Sequence, residues 1–299
     1  MTVEPERDKV VFLHVPKTGG TGLQTYLFDR LRAIRRNYFL SFFGTDESSL
    51  YRDELATPRP EGNRCVIERA FELPELVREF KRSPHFQQAK LLLGHVTFAF
   101  GQLFPSYQFR YLTVLRDPVE RTISNIVQLS ARCEDATIRF AGYRTRVPLY
   151  SDEYWEFVYG RLTAEYPIRG FLTHENCYLR NCMTRVLQGS WYLDPHESPN
   201  LHLALVNAMR AQVSFFDDFN RGVQRSFDAL GIPVDMSQNL AGSGAKEHVS
   251  TERRRLGRYY NAPQKVVDFV VEHNQVDIAL YQHLKARIDG EPVAETAVI

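Results

Sequence analysis

The chain has 299 residues, of which 43% are hydrophobic and 12% aromatic, so it is long and apolar enough to bury a large core. Its 37 basic and 36 acidic residues leave a formal net charge of +1, which gives no overall reason to expect nucleic acid or a membrane surface as a partner. Any basic site must therefore be local. No linker stands out, and we expect one α/β domain over residues 1–299 with helical insertions.

The residues before the first predicted strand are charged, and no run reaches the roughly eighteen apolar residues that a membrane-spanning helix needs. We therefore predict a cytoplasmic protein without a membrane span. The cysteines form no C-x-x-C pair and lack the paired histidine spacing of a zinc site, so we expect reduced, buried thiols. They are Cys65, Cys133, Cys177 and Cys182.

The first predicted strand covers residues 10–15, which are apolar and β-branched, and a helical pattern begins at Gly22. At this junction lie Lys17 and the glycines Gly19, Gly20 and Gly22. Glycines let the backbone approach a ligand closely, and the N–H groups and positive dipole end of the helix attract an anion. This segment therefore predicts a phosphate or sulfate site, to which Lys17 adds a mobile positive charge.

Two further strands are predicted over residues 89–95 and 109–116. Asp117 and Pro118 mark a helix start, with Asp117 as the N-cap and Pro118 at the first helical position of a helix that runs to about residue 129. Arg116 leaves its strand at the carboxyl end, where open α/β sheets bind ligands. Ser124 follows two helical turns later, close enough to share one phosphate with the forked guanidinium of Arg116.

The rest of the chain reads as helices and loops. Helical patterns lie near residues 153–162, 176–187, 200–211, 221–230 and 263–287, and residues 51–63 and 239–249 read as loops. The C-terminal pattern predicts a helix at about 263–288. Short apolar strands alternating with helices predict an α/β fold, with a P-loop-like central parallel sheet flanked by helices.

Four segments of the chain resemble one known family. The sequence is similar to the sulfotransferases that use 3′-phosphoadenosine-5′-phosphosulfate, in the group around heparan sulfate 2-O-sulfotransferase and its bacterial relatives. The segments that carry the resemblance are His14-Val-Pro-Lys-Thr-Gly-Gly-Thr21, Gly94-His-Val-Thr-Phe98, Val114-Leu-Arg-Asp-Pro-Val-Glu-Arg-Thr-Ile-Ser124 and Asn274-Gln-Val-Asp-Ile-Ala-Leu-Tyr281. Their order and spacing over most of the chain make the resemblance more specific than any one motif.

The resemblance implies a sulfotransferase fold and an O-sulfotransferase that needs no metal. It implies 3′-phosphoadenosine-5′-phosphosulfate as donor and adenosine 3′,5′-bisphosphate as product, with Arg116 and Ser124 on the 3′-phosphate and His95 as the catalytic histidine. The residues that it assigns to the 5′-phosphosulfate are Lys17, Thr18, Gly19, Gly20, Thr21 and Gly22. The acceptor is then a hydroxyl of a carbohydrate or a secondary metabolite, and neither nucleic acid nor a membrane span is expected.

The chemistry of sulfuryl transfer suits these residue types. Negative charge builds on the departing phosphate oxygen, where Lys17 and backbone donors can stabilise it. The attacking hydroxyl must lose a proton, and the imidazole of His95 is a suitable base near neutral pH. Glu68 is an alternative base, although it could instead form a salt bridge at the end of a strand. His14 lies inside the first predicted strand and is expected to be a core histidine.

Two basic segments remain open in interpretation. Lys246 and His248, in the loop 242–248, either close over the donor nucleotide or lie in a plain surface loop. The arginines at 253–255 and Arg258 belong either to a solvated helix face or to the lining of an anionic pocket.

Two other function classes compete with a sulfotransferase. A P-loop kinase or NTPase places its lysine after the glycines, in G-x-x-x-x-G-K-[ST], whereas Lys17 precedes Gly19 and Gly20, and no clear second acidic strand end is available for magnesium. A non-catalytic nucleotide-binding protein is the other alternative. The presence of both Lys17 and His95 is the sequence feature that argues against it.

Overall fold

The computed structural model describes residues 7–20, 23, 26–27, 39–41, 84–132, 137–140, 143–146, 150–164, 178–190, 197–236 and 257–290. In chain order, its strands are β1 (Asp8–Leu13), β2 (Phe39–Ser41), β3 (Leu91–Gly94), β4 (Gln108–Leu115), β5 (Thr137–Phe140), β6 (Tyr143–Arg146) and β7 (Ala211–Phe215). Its α-helices are α1 (Pro84–Gln88), α2 (Pro118–Arg132), α3 (Asp152–Leu162), α4 (Cys182–Gln188), α5 (Leu201–Ala208), α6 (Phe219–Leu230), α7 (Gln264–Glu272) and α8 (Gln275–Asp289). Two 3₁₀ helices cover Phe98–Leu103 and Phe216–Asp218.

Five strands form one sheet in the order β2-β3-β1-β4-β7, and every neighbouring pair is parallel. Strands β5 and β6 form a separate antiparallel pair. In the register, Leu13 of β1 lies opposite Gly94 of β3 and Thr113 of β4. The predicted α/β class with a parallel sheet is confirmed, and the carboxyl ends of these strands meet at one edge.

The sheet is covered by helices on both faces because its strands are apolar on both sides. Residues Val11 and Leu13 of β1 pack in a cluster with residues of α4, α5 and α8. Residues Val10 and Phe12 point to the other face and pack in a cluster with α6 and Leu23. A third apolar cluster joins α2, α3 and α7 away from the sheet. The result is a three-layer arrangement with α2 beginning at the sheet's carboxyl edge.

Three predicted strands are confirmed with small shifts in their ends. The strands predicted at 10–15, 89–95 and 109–116 are β1, β3 and β4. The placement of His14 inside the first strand is wrong, since β1 ends at Leu13. The N–H of His14 still donates to the carbonyl of Gly94 at 2.9 Å, but that of Val15 turns back to the Leu13 carbonyl at 3.1 Å, which ends the strand.

Several helix ends differ from the predicted ones. The pattern at 263–287 is not one helix but α7 and α8, separated by His273 and Asn274. The pattern at 200–211 ends as a helix at Ala208, and Ala211 begins β7, which was not predicted. The helix predicted at 176–187 begins only at Cys182, because the preceding Asn181 has a left-handed backbone with φ of 46°.

The helices predicted at 153–162 and 221–230 are confirmed as α3 and α6. The predicted loops at 51–63 and 239–249 lie outside the described residues. Cys182 is a buried free thiol whose pKa is raised by burial to about 11, and the other three cysteines fall outside the described ranges. In the part of the chain that the structure covers, no helix is both long and apolar enough to cross a membrane.

Candidate anion and base site

The candidate site lies at the topological switch point of the sheet. From β1 the chain leads to β2, on the β3 side of the sheet, whereas from β4 it leads to β7 on the opposite side. Neighbouring strands whose connections leave in opposite directions open a crevice at their carboxyl ends, where ligands of α/β sheets bind. The predicted lysine and glycine segment follows β1, and Arg116 follows β4. The two groups therefore face the same crevice.

The loop after β1 has an unusual backbone that is held from inside. Lys17 has φ of 71° and Gly19 has φ of 89°, both in the left-handed region. Thr18 is fully buried, and its hydroxyl donates to the Val15 carbonyl at 2.7 Å. The Leu23 N–H donates to the Gly19 carbonyl at 3.2 Å, so the helix begins at this point. The loop thus combines a left-handed backbone with a helix start at the carboxyl edge of the sheet, as anion-binding loops do.

Both described glycines of this loop are required by close approach. A Cβ on Gly20 would lie 2.1 Å from Cδ2 and Nε2 of His14. A Cβ on Gly19 would lie 2.8 Å from Cε2 of Phe219 and 3.2 Å from Cε2 of Phe216. Thr21 and Gly22 lie outside the described residues. The predicted assignments of Lys17, Thr18, Gly19 and Gly20 to one loop are therefore consistent with the geometry.

Arg116 is a buried cation in direct contact with that loop. Its side chain is 3% exposed, and Nη1 donates to the Lys17 carbonyl at 3.1 Å. Nη2 lies 3.0 Å from Oε1 of Glu120, and Cζ lies 4.7 Å from the ring centroid of Phe216. Nε has no hydrogen-bond partner among the described residues. Nε is therefore a buried N–H donor that no described acceptor uses.

Helix α2 begins as predicted beside Arg116. Asp117 caps it, because Oδ1 accepts from the Glu120 N–H at 2.9 Å, and Pro118 is its first residue. Ser124 is 3% exposed and lies one helical turn beyond Glu120 on the same side of the helix. Arg116, Glu120 and Ser124 thus form a row that leads away from the Lys17 loop.

His95 lies directly after β3 and contacts the same loop through His14. Its Nδ1 lies 2.8 Å from the His14 carbonyl, and the two imidazole rings stack with centroids 4.3 Å apart. A carbonyl can only accept a hydrogen bond, so Nδ1 of His95 carries a proton, and in the neutral form of the ring the lone pair is on Nε2. Nε2 is therefore the atom of His95 that can accept a proton.

His14 is buried and held neutral. Its side chain is 4% exposed, and Nδ1 has no partner within the described part of the chain. Burial, followed by the positive charges of His95 and Lys17, lowers the pKa of His14 well below its ordinary value. The expectation of a core histidine is consistent with this burial, but His14 also forms the contact surface between Gly20 and His95.

Tyr178 was not singled out in the sequence, although it packs edge-on against His95 with ring centroids 6.5 Å apart. Its carbonyl accepts from Nη1 of Arg121 at 3.0 Å and from Nδ2 of Asn125 at 3.2 Å. Arg121 and Asn125 are four residues apart on α2 and therefore share a face. That spacing is the sequence signal that could have revealed a shared partner.

The C-terminal segment 274–281 is hydrogen-bonded to the chain around α4, beside the site. Asn274 donates to the Leu179 carbonyl at 2.8 Å and accepts from the Asn181 N–H at 2.9 Å. Asp277 accepts from the N–H groups of Met183 at 3.0 Å and Thr184 at 2.7 Å, at the start of α4. These contacts hold the turn that carries Tyr178.

In the two basic segments whose role the sequence leaves open, Arg258 alone falls within the described ranges. It is 54% exposed and pairs with Oδ2 of Asp117 at 2.9 Å and Oε2 of Glu120 at 3.8 Å. The remaining candidates, whose placement is not described, are Glu68, Lys246, His248 and the arginines at 253–255. No group of three or more His, Cys, Asp or Glu side chains that could hold a metal occurs in the described ranges.

The arrangement combines a glycine loop, a buried guanidinium and an imidazole, which are residue types suited to anion binding and proton transfer. The structure brings the Lys17 loop, buried Arg116 and His95 together at one edge of the sheet, with Ser124 further along α2. Comparison of the chain with protein-family models gives no match, and comparison with curated protein sequences gives none either. The function must therefore be argued from this geometry.

Proposed function

We propose that the protein is an O-sulfotransferase, which moves a sulfuryl group from 3′-phosphoadenosine-5′-phosphosulfate to a hydroxyl of a carbohydrate or a small natural product. One observation carries the proposal: the Lys17 loop contacts buried Arg116 on one side and, through His14, His95 on the other. A donor with two anionic ends needs two cationic subsites, and a hydroxyl acceptor needs a base. The Lys17 loop, Arg116 and His95 all follow strands at one edge of the parallel sheet, which supports the assignment of these roles to them.

The described residues fit this donor in two places. The left-handed backbone at Lys17 and Gly19 and the helix start at Gly20 suit the 5′-phosphosulfate, because such backbones offer N–H donors to an anion. The buried Nε of Arg116 suits the 3′-phosphate, with the hydroxyl of Ser124 as the second donor. Neither subsite requires a metal ion.

The chemical step assigns one role to each catalytic group. Nε2 of His95 accepts the proton of the attacking hydroxyl while the new bond between sulfur and that oxygen forms. The bond between sulfur and the 5′-phosphate oxygen breaks, and the ammonium of Lys17 stabilises the negative charge that appears on this oxygen. The products are the sulfated acceptor, adenosine 3′,5′-bisphosphate and protonated His95, which returns its proton to water.

Phosphoryl transfer from ATP and magnesium is the main competing function. Asp117 does follow β4, where such an enzyme could place a carboxylate for the metal. However, Oδ1 of Asp117 caps α2 and Oδ2 pairs with Arg258, so both oxygens already have partners. This engagement favours the metal-independent reaction. A non-catalytic nucleotide-binding protein is the third possibility that the experiment must separate.

Radiolabelled donor incubated with pools of hydroxyl acceptors in EDTA tests the proposal. We expect label to appear in one acceptor class with the wild type and to be lost with His95→Ala. Melting temperatures with adenosine 3′,5′-bisphosphate in EDTA and with ATP and magnesium separate the alternatives, because a ligand that binds only the native state raises the melting temperature. Stabilisation by ATP and magnesium alone would favour a kinase. Stabilisation by the bisphosphate without transfer to any pool would favour a non-catalytic binder.

A further inference from the structure

The backbone of Lys17 adopts a conformation that a lysine does not favour on its own. Its φ of 71° places it in the left-handed region, where the side chain crowds the following carbonyl. Such a conformation persists only when the surrounding structure enforces it. The Lys17 carbonyl accepts a hydrogen bond at 3.1 Å from Nη1 of Arg116, which lies 99 residues further along the chain.

Arg116 is itself held in place on several sides. Oε1 of Glu120 lies 3.0 Å from Nη2, the Phe216 ring covers the guanidinium at 4.7 Å, and the side chain is 3% exposed. A buried, fixed donor of this kind can hold the carbonyl of a strained residue in position better than a solvated side chain can. The contact with Lys17 uses Nη1 and leaves Nε available for an anion.

We infer that Arg116 is a positioning residue for the Lys17 loop as well as a ligand of the 3′-phosphate, so that it controls binding at the 5′ end of the donor. This inference rests on the proposed function, because it concerns how the two anion subsites cooperate. If Arg116 keeps the loop in the conformation that binds the 5′ anion, replacing Arg116 lowers the fraction of molecules whose loop has that conformation. The apparent affinity for any 5′ anion then falls by the same factor.

The ligand that tests this coupling is adenosine 5′-phosphosulfate, which is the proposed donor without its 3′-phosphate. A residue that binds only the 3′-phosphate has no direct contact with this compound. The variant is Arg116→Lys, which keeps a positive charge but lacks the planar fork needed to reach both the Lys17 carbonyl and Glu120. Ser124→Ala is the matched control, since Ser124 belongs to the same subsite but has no described contact with the loop.

Calorimetry in EDTA measures the affinity of wild type and both variants for adenosine 5′-phosphosulfate. We expect Arg116→Lys to weaken binding about tenfold, the scale of one lost hydrogen bond from a charged donor. We expect Ser124→Ala to leave this affinity unchanged, while both variants weaken binding of adenosine 3′,5′-bisphosphate. Equal affinity of wild type and Arg116→Lys for the 5′-phosphosulfate compound would overturn the inference.

Hydrogen exchange without any ligand gives an independent measure of the loop. We expect the amides of residues 14–20 to exchange faster in Arg116→Lys than in the wild type, with no change in β3. Ser124→Ala should exchange like the wild type. Should Arg116→Lys not fold, Glu120→Gln removes the ion pair at Nη2 and is expected to raise exchange in the same loop.

The two measurements separate failure of the inference from failure of the proposed function. Unchanged exchange in the loop of Arg116→Lys, or of Glu120→Gln in its place, would overturn the positioning role whatever the ligand. Wild-type protein that binds neither adenosine compound would contradict the proposed function. Faster exchange in the loop would still support the positioning role in that case.

Discussion

Two stacked histidines beside the glycine loop have different environments and therefore different roles. His95 is half-buried, and its Nδ1 donates to the His14 carbonyl, which leaves Nε2 as the acceptor. His14 is buried and neutral because burial and two nearby positive charges lower its pKa. In the proposed reaction, His95 is therefore the better candidate for proton transfer.

For His95, we expect kcat/KM to rise with pH over the range in which an imidazole loses its proton and then to level off, because only the neutral ring accepts a proton. His95→Ala should remove this rise of kcat/KM with pH and reduce turnover by about 10²- to 10⁴-fold. Affinity for adenosine 3′,5′-bisphosphate should stay nearly unchanged, as calorimetry can check. A near-normal rate in His95→Ala with an inactive Glu68→Gln would assign the base to Glu68 instead.

His14 makes stability depend on pH in a predictable direction. The unfolded chain protonates His14 near its ordinary pKa of about 6.5, whereas the folded chain keeps it neutral to a much lower pH. The unfolded state then binds more protons, so stability falls as pH drops, by at most about 1.4 kcal/mol per pH unit. Urea unfolding from about pH 7 to about pH 5 should show a shallower loss in His14→Leu than in the wild type. Equal slopes would show that His14 does not titrate differently on folding.

Lys17 should matter more for turnover than for binding, because its charge is needed most when the leaving oxygen becomes anionic. Lys17→Ala is expected to lower kcat roughly a hundredfold or more, the scale of one lost transition-state donor. Lys17→Gly is the matched control, since glycine accepts the left-handed backbone at this position without strain. Similar losses in both variants would assign the effect to the ammonium. Normal kcat with only a raised KM for the donor would mean that Lys17 stabilises the bound donor and the transition state equally.

At the scale of elements, α4 and α8 are joined by a buried carboxylate. Asp277 is fully buried and accepts two N–H groups at the start of α4. Burial raises its pKa, while the positive charge of Arg121 opposes this shift. The contact fixes the packing of α8 against the helix that follows the Tyr178 turn.

Asp277→Asn should lower the free energy of unfolding by about 2–5 kcal/mol, because an amide presents N–H groups to backbone donors and removes the negative charge near buried Arg121. Glu272→Gln, an exposed acid on α7, is the control and should change stability by less than about 0.5 kcal/mol. Chemical denaturation of both variants measures the difference. A small change in the free energy of unfolding for Asp277→Asn would mean that the contact between Asp277 and α4 contributes little to stability.

The elements that could be predicted are those whose local pattern is strong. Strands β1, β3 and β4 are short apolar runs, and Asp117 and Pro118 mark the start of α2 in the sequence. The break at Asn274 could not be predicted, because apolar periodicity continues across it and the side chain finds its partners around Leu179 and Asn181. Strand β7 is short and only partly apolar, so it reads as the end of the preceding helix.

At the scale of the whole molecule, the site could be predicted as a set of segments because parallel strands end at one edge. The contacts between those segments could not be predicted from the sequence, because they depend on the order of the strands in the sheet. Placing β1 between β3 and β4 brings His95 and Arg116 to opposite sides of the Lys17 loop. Lys9 shows the same limit: it looks like part of a charged leader, yet it is fully buried and donates to the carbonyls of Phe86 and Ala89.

The central claim is that one metal-independent site binds both anionic ends of a 3′-phosphorylated adenosine nucleotide. Calorimetry in EDTA with adenosine 3′,5′-bisphosphate and adenosine 5′-monophosphate tests it most directly. We predict that the bisphosphate binds at least about tenfold more tightly, since Arg116 supplies a charge-assisted contact to the 3′-phosphate. Equal affinities, or binding that appears only with magnesium, would contradict the claim.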